Sequence, residues 1–362
     1  MFVAWRELRF ARGRFLLIGV VVALITLLVG FLSGLTGGLA AQNVSAVLQI
    51  PGERIVLQQP ADGSPSFATS EIDEAAVDAW RSAEGADRVE QVGIASSRAS
   101  REDADDAVGV ALFGMDPDRT AGEGTLAALI PRSDDEIGLS AGAADDLGAA
   151  VGDVIVITGS AYTVSAVGEE VWHSHLPVVA MTPDAWSDAS IRVGGSGEPT
   201  ALAVSGDVDV EAVGAATGTV AQTPLASLAA LEAFTSEIGS LGLIIGMLFG
   251  VSALVVGAFF TVWTMQRAGD VAVLKALGAT TGSLVCDALG QALIVLAAGI
   301  GAGLAAVVGL GALARQALPF VLSPLTTLLP AALMIALGLA GAAFALRAVT
   351  KADPLTALGS HR

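Results

Sequence analysis

A chain of 362 residues that is 53% hydrophobic and only 15% charged is not an ordinary soluble domain. The net charge is −18, and residues 44–232 hold 31 of the 36 acids against eight of the 18 bases, a local net charge of −23 that argues against a nucleic-acid partner. The single cysteine, Cys286, excludes an intramolecular disulfide, so any domain must be held by its own core.

Residues 1–14 read as a short cytoplasmic amphipathic helix, with Phe2, Trp5 and Leu8 on one side and Trp5 as an interface anchor. Four apolar runs without a charged residue follow: 15–41, 238–265, 288–314 and 325–346. Each exceeds the roughly 20 residues needed to cross a hydrocarbon core about 30 Å thick. The first is also longer than a signal-peptide core of about 7–15 residues, so it reads as an uncleaved span. Arg6, Arg9, Arg12 and Arg14 precede it, Arg267 and Lys275 follow the second run, and Arg347 and Lys351 follow the fourth. By the positive-inside rule both termini and residues 266–281 are cytoplasmic, residues 42–237 lie outside, and residues 347–362 form a cytoplasmic tail. Gly30, Gly34 and Gly38 recur every four residues in the first span, a spacing that lets helices approach closely, either in a dimer or within the bundle.

The expected fold is therefore a multi-pass protein of the cell membrane: four transmembrane α-helices with one α+β extracellular domain between the first and second spans. In that domain Arg54–Gln58 and Val108–Phe113 read as strands, and Glu71–Ser82 as a helix capped by Ser70. Ser140 caps a helix ending near Gly148, Gly152–Asp153 turns into a strand at Val154–Thr158, and Gly159–Ser160 turns into Tyr162–Val167. Asp188–Pro199 reads as a loop and Leu202–Val204 as a final strand. Ala226–Ser240 reads as a helix running on into the second span.

Little catalytic chemistry is available. With only two lysines, Lys275 and Lys351, and neither after a glycine, no phosphate-binding loop can be written. H-E-x-x-H, G-x-S-x-G and a cysteine cluster are missing too, so the chain reads as a non-catalytic subunit without a metal centre. In Val171–Leu176 the alternating His173 and His175 would share a face of a strand and could bind metal or haem iron; the alternative is an exposed polar loop. Where the first and second spans leave the membrane stand Gln42 and Asn43, then Phe234 and Glu237. A carboxylate at that depth is costly unless it faces a cavity, so Glu237 is either a cargo contact or a snorkelling side chain.

One cytoplasmic segment carries a recognisable pattern. In Gly269–Thr280, GDVAVLKALGAT, Val271, Leu274 and Leu277 fall on one helical stripe, Asp270 lies in the first turn and Gly278 is a stop. This stretch resembles the coupling helix of MacB/FtsX-type ABC transporter permeases. The "LG…GD" of the outside domain and the "DPxxAL" of the tail, 353–358, resemble the same family, so the likeness runs over all 362 residues. The compact form is most similar to HrtB-type haem efflux permeases and their DevC-like relatives. That resemblance implies a homodimer of this chain with two copies of a separate ABC ATPase. ATP would be bound by the ATPase and not by this chain, which would hold no permanent cofactor. Asp270, Val271, Leu274, Lys275 and Leu277 would meet the ATPase. The cargo it implies is haem, held by Glu237, Phe234, Asn43 and Gln42, with His173 and His175 as the alternative ligands. Export of lipid, lipoprotein or antimicrobial peptide, or an FtsX-like regulator of an outside hydrolase that transports nothing, are the other readings.

Overall fold

The computed structural model describes all residues except 1–11, 103–105, 119–124, 267–268, 270–272, 274–276 and 351–362. Its helices are α1 (Arg12–Val44), α2 (Glu74–Ser82), α3 (Thr125–Leu129), α4 (Ala141–Leu147), α5 (Pro183–Arg192), α6 (Val210–Thr217), α7 (Pro224–Ser227), α8 (Glu232–Gln266), α9 (Thr281–Ala314) and α10 (Pro324–Thr350). The strands are β1 (Arg54–Gln58), β2 (Ala86–Arg101), β3 (Val108–Gly114), β4 (Glu136–Leu139), β5 (Val154–Ile157), β6 (Ser160–Val167), β7 (Trp172–His173), β8 (Leu176–Met181), β9 (Ala201–Gly206) and β10 (Thr219–Gln222). The chain divides into a helical unit, residues 1–38 with 239–362, and a β-rich unit, residues 39–238.

Among the described residues four helices, α1, α8, α9 and α10, are long and apolar enough to cross a membrane. Each reaches beyond its predicted span. The largest extension is in α9, which starts at Thr281 because the Thr280 side chain accepts the Ser283 N–H at 3.3 Å and caps it. Within the helical unit the core is Ile18, Val22 and Val29 of α1, Val256 and Phe260 of α8, Leu296 of α9 and Met334 of α10.

The first-span glycine stripe is spent inside this bundle. A Cβ on Gly30 would stand 2.7 Å from Val307, one on Gly34 would overlap the Phe320 ring, and one on Gly38 would overlap the Pro319 carbonyl. The Gly34 carbonyl also accepts the Val321 N–H at 3.0 Å. Of the two uses open to Gly30, Gly34 and Gly38, packing within the bundle is the one observed. Without a hydrophobic drive between helices in lipid, such backbone approach is what lets dispersion contacts accumulate.

The β-rich unit is α+β and is organised by β2. Its first half pairs with β9, as at Val92↔Ala201, and its second half with β3 and β5, as at Ala99↔Ile157. The pairings β2–β3–β8–β4–β6–β5–β2 close a ring of six strands, and β10–β1–β9 extends a sheet from the other half of β2. Ile137, Leu139, Ile155 and Val179 fill the ring and are fully buried, each side chain contributing about 1.5–3 kcal/mol of transfer free energy. Helix α4 packs on it, capped by Ser140 and closed by Gly148 at φ 58°, a left-handed residue that glycine adopts at no steric cost.

Four local expectations need correction. Helix α2 starts at Glu74 with Asp73 as its cap, the Asp73 Oδ1 accepting the Ala76 N–H at 2.7 Å. Ser70 is buried instead, taking the Gln58 N–H and donating to the Thr200 carbonyl, and the buried Ile72 holds 71–73 extended. The segment Asp188–Pro199 is helical as far as Arg192: Thr182 caps α5, Pro183 opens it, and Trp186 and Ala189 are buried beneath it. Leu202–Val204 lies in β9, but α6 and β10 follow, so it is not the last strand. Ala226–Ser240 is not one helix, because extended Leu231, buried in the domain core, separates the turns at 224–230 from α8.

Candidate functional site

Within the β-rich unit the end of α1 and the start of α8 meet one tight turn. Strands β7 and β8 pair Trp172 with Pro177 and His173 with Leu176, leaving Ser174 and His175 as a two-residue loop. Both loop residues are left-handed, at φ 48° and 65°. A non-glycine side chain there costs on the order of 1–2 kcal/mol, so something must hold it. The holding groups are the last carbonyls of α1: Ser174 N–H donates to Asn43 O at 3.1 Å and His175 N–H to Gln42 O at 3.0 Å. A helix end leaves its final carbonyls without partners, and the turn supplies the donors. Ser45 fastens the same junction, its Oγ accepting the Trp172 N–H at 2.8 Å and donating to the Trp172 carbonyl at 3.1 Å.

The turn aims the His175 ring at Glu237. His175 Nε2 lies 2.8 Å from Glu237 Oε1, and Asn43 Nδ2 donates to Glu237 Oε2 at 2.9 Å. Asn43 Nδ2 also lies 2.9 Å from His175 Nε2. An ionised carboxylate can only accept, so the contact with Glu237 requires the hydrogen on Nε2. The approach of the two nitrogens is then that of two donors converging on one carboxylate. Each oxygen of Glu237 takes one of them. Asn43 is fully buried, and its Oδ1 has no partner among the described residues. The His175 and Glu237 side chains keep 32% and 35% of their surface, so a ligand can reach the carboxylate without unfolding the site.

The other candidates fall elsewhere. His173 does not share a face with His175, because the turn intervenes; its ring is buried between Phe67 and Phe113, with centroids 6.3 and 5.4 Å away. Burial lowers its pKa from 6.5 to about 4, which keeps it neutral, and its Nδ1 has no partner among the described residues. The exposed polar loop offered as the alternative for this segment is likewise only half right: His175 is partly exposed, His173 is core. Gln42 contributes its backbone carbonyl, and Phe234 packs on the domain core. Among the described residues no group of three His, Cys, Asp or Glu side chains could hold a metal ion. Of the coupling positions, Asp270, Val271, Leu274 and Lys275 lie outside the described residues, as does Trp5. Leu277 is 79% exposed, and Gly278 follows at φ 95°.

Sequence reasoning missed Ser174 and Ser45, and it treated His175 and Glu237 as rival sites. A two-residue gap between β-branched and aromatic stretches is a hairpin signal, but it is normally read from Asn or Gly, and here the loop is Ser-His.

Residues 242–354 match the family described as FtsX-like permease C-terminal. Over 99% of both chains the protein is 26% identical to "Putative hemin transport system permease protein HrtB" of Staphylococcus haemolyticus. It is 23% identical, again over 99% of each, to the protein of the same description from Staphylococcus epidermidis. Among solved structures, the periplasmic region of MacB from Actinobacillus actinomycetemcomitans aligns with a TM-score of 0.35 at 10% identity, covering 50% of this chain and 92% of that one. The extracellular domain of the noncanonic ABC-type transporter YknZ aligns with a TM-score of 0.33 at 11% identity, covering 47% and 98%. The FtsX-like match spans most of α8 and all of α9 and α10, and the relatives that align with this chain from end to end are described as permeases.

Proposed function

We propose that this chain is the permease subunit of an ABC-type efflux pump that moves haem from the membrane to the outside, driven by a separate ATPase. The observation that carries the reading is the clasp of Asn43, His175 and Glu237, which presents an accessible carboxylate beside the ends of two membrane-length helices. Haem is an apolar ring with two carboxylates and an iron in need of an axial ligand. In this reading the ring comes from lipid at that level and Glu237 meets the iron. The hemin-transport description of the full-length relatives supports the same cargo.

The chain itself hydrolyses nothing in this reading. Both termini and residues 266–281 face the cytoplasm, the β-rich unit faces outward, and Leu277 offers an uncovered apolar side chain to the ATPase. The assembly is a homodimer with two ATPase copies. On α8 a Cβ at Gly242, Gly246 or Gly250 would meet nothing within 4 Å among the described residues, which suits a second copy of the same helix. Lipid, lipoprotein or peptide export and FtsX-like regulation of an outside hydrolase are the competing readings. Proteoliposomes holding this chain and its ATPase, loaded with haemin, decide among them. ATP-dependent loss of haemin from the membrane supports the proposal; ATP turnover with static haemin sinks it.

A further inference from the structure

We propose that His175 is a positioning residue for Glu237 and not an alternative iron ligand, an inference that rests on the reading of Glu237 as the group that meets haem. Three observations lead to it. First, the imidazole is already committed, since Nε2 must carry its hydrogen to serve Glu237 Oε1 at 2.8 Å. The remaining nitrogen, Nδ1, is bonded to the ring carbon that carries Cβ, which makes it the more crowded of the two for a porphyrin plane. Second, the partner donor is fixed. Asn43 is fully buried and donates to Oε2 beside His175, so the pair grips both oxygens of a side chain that otherwise turns about three bonds. Third, His175 stands on a turn with an unfavourable backbone conformation, and that turn is fastened to the final carbonyls of α1. Strain retained against such fastening marks a residue whose direction matters.

The Glu237 side chain keeps 35% of its surface, so a ligand can approach the carboxylate within the clasp. The clasp also joins the last turn of α1, the β7–β8 hairpin and the first turns of α8 through one carboxylate. Cargo that takes an oxygen from His175 therefore loosens the junction, which couples occupancy of the site to the attachment of the hairpin.

The experiment titrates purified full-length protein with haemin, reading the Soret band in wild type, H175Q, H175A and E237Q. Glutamine keeps an N–H donor at a similar reach and cannot ligate as an imidazole does. We expect H175Q to bind within about threefold of wild type with an unchanged band position. H175A should bind about tenfold more weakly, again with the wild-type band position, and E237Q should lose the ligand band. A shifted band in H175Q would show the imidazole to be the ligand, and wild-type affinity in H175A would remove the positioning role. A second readout needs no haemin. The chain has three histidines, so ¹⁵N-histidine NMR can follow the His175 ring directly, assigned by its disappearance in H175Q. Its Nε2 signal should move on E237Q. If wild type binds no haemin but this signal moves, the cargo reading fails and the clasp stands; if the signal is unmoved, the clasp itself is overturned.

Discussion

His175 and Glu237, 62 residues apart in the chain, are joined by a 2.8 Å contact between Nε2 and Oε1, and Asn43 Nδ2 donates to the other oxygen of the same carboxylate at 2.9 Å. Candidates that the sequence offers as competitors, Asn43 and Glu237 at the helix ends and His175 in the Val171–Leu176 segment, thus lie together, while His173 and Phe234 pack in the core and Gln42 contributes only its backbone carbonyl.

His173 gives the protein an acid sensitivity that can be assigned to one ring. Its folded pKa is about 4 against 6.5 in the unfolded chain. Above pH 6.5 the ring is neutral in both states and contributes no pH dependence. As pH falls from 6.5 to about 4 the unfolded state takes up the proton and the folded state does not, so stability drops by about 1.4 kcal/mol per unit, about 3 kcal/mol in all. Below about pH 4 both states are protonated and the slope ends. Chemical unfolding of detergent-solubilised wild type and His173→Phe across this range should diverge with that slope; parallel curves would refute the assignment.

Two glycine sets should respond oppositely. Gly38→Ala drives a methyl group into the Pro319 carbonyl, backbone that cannot swing aside, and should destabilise the helical unit by about 1–3 kcal/mol. Gly246→Leu points into open space and should leave monomer stability unchanged while weakening self-association. Thermal unfolding together with crosslinking of cysteines placed along α8 separates the two. A dimer intact in Gly246→Leu would remove α8 from the proposed interface.

Much of this architecture was legible because its signals are local. Charge-free runs longer than a bilayer is thick fix the four spans whatever surrounds them. Ser140 and Gly148 delimit α4 through capping chemistry that acts within a turn. What escaped depends on distant partners. Ser70 looks like a cap until Gln58 and Thr200 claim its hydroxyl. The gly-ser composition after Asp188 hides α5, although Thr182-Pro183 is a start signal. The strand ring closes through β2, whose two halves pair with strands more than 50 and 100 residues away. The clasp is of that kind: Asn43, His175 and Glu237 carry no mutual spacing signal in the chain.

Leu277 tests the coupling segment at a position the structure describes. It is 79% exposed, so Leu277→Glu should leave folding intact. If an ATPase groove covers it, burying an unpaired carboxylate costs several kcal/mol and docking should fall by two orders of magnitude or more. Co-purification of the ATPase with wild type and variant measures this. Equal recovery with normally stimulated ATP turnover would exclude Leu277 from the contact.

Haemin titration of the purified chain with and without the Glu237 carboxylate bears most directly on the proposed role. Wild type should develop a saturable Soret shift, His173→Phe should match it, and Glu237→Ala should weaken binding at least tenfold, about 1.4 kcal/mol. A Glu237→Ala variant that binds haemin as wild type does would contradict the account, whatever the histidine variants show.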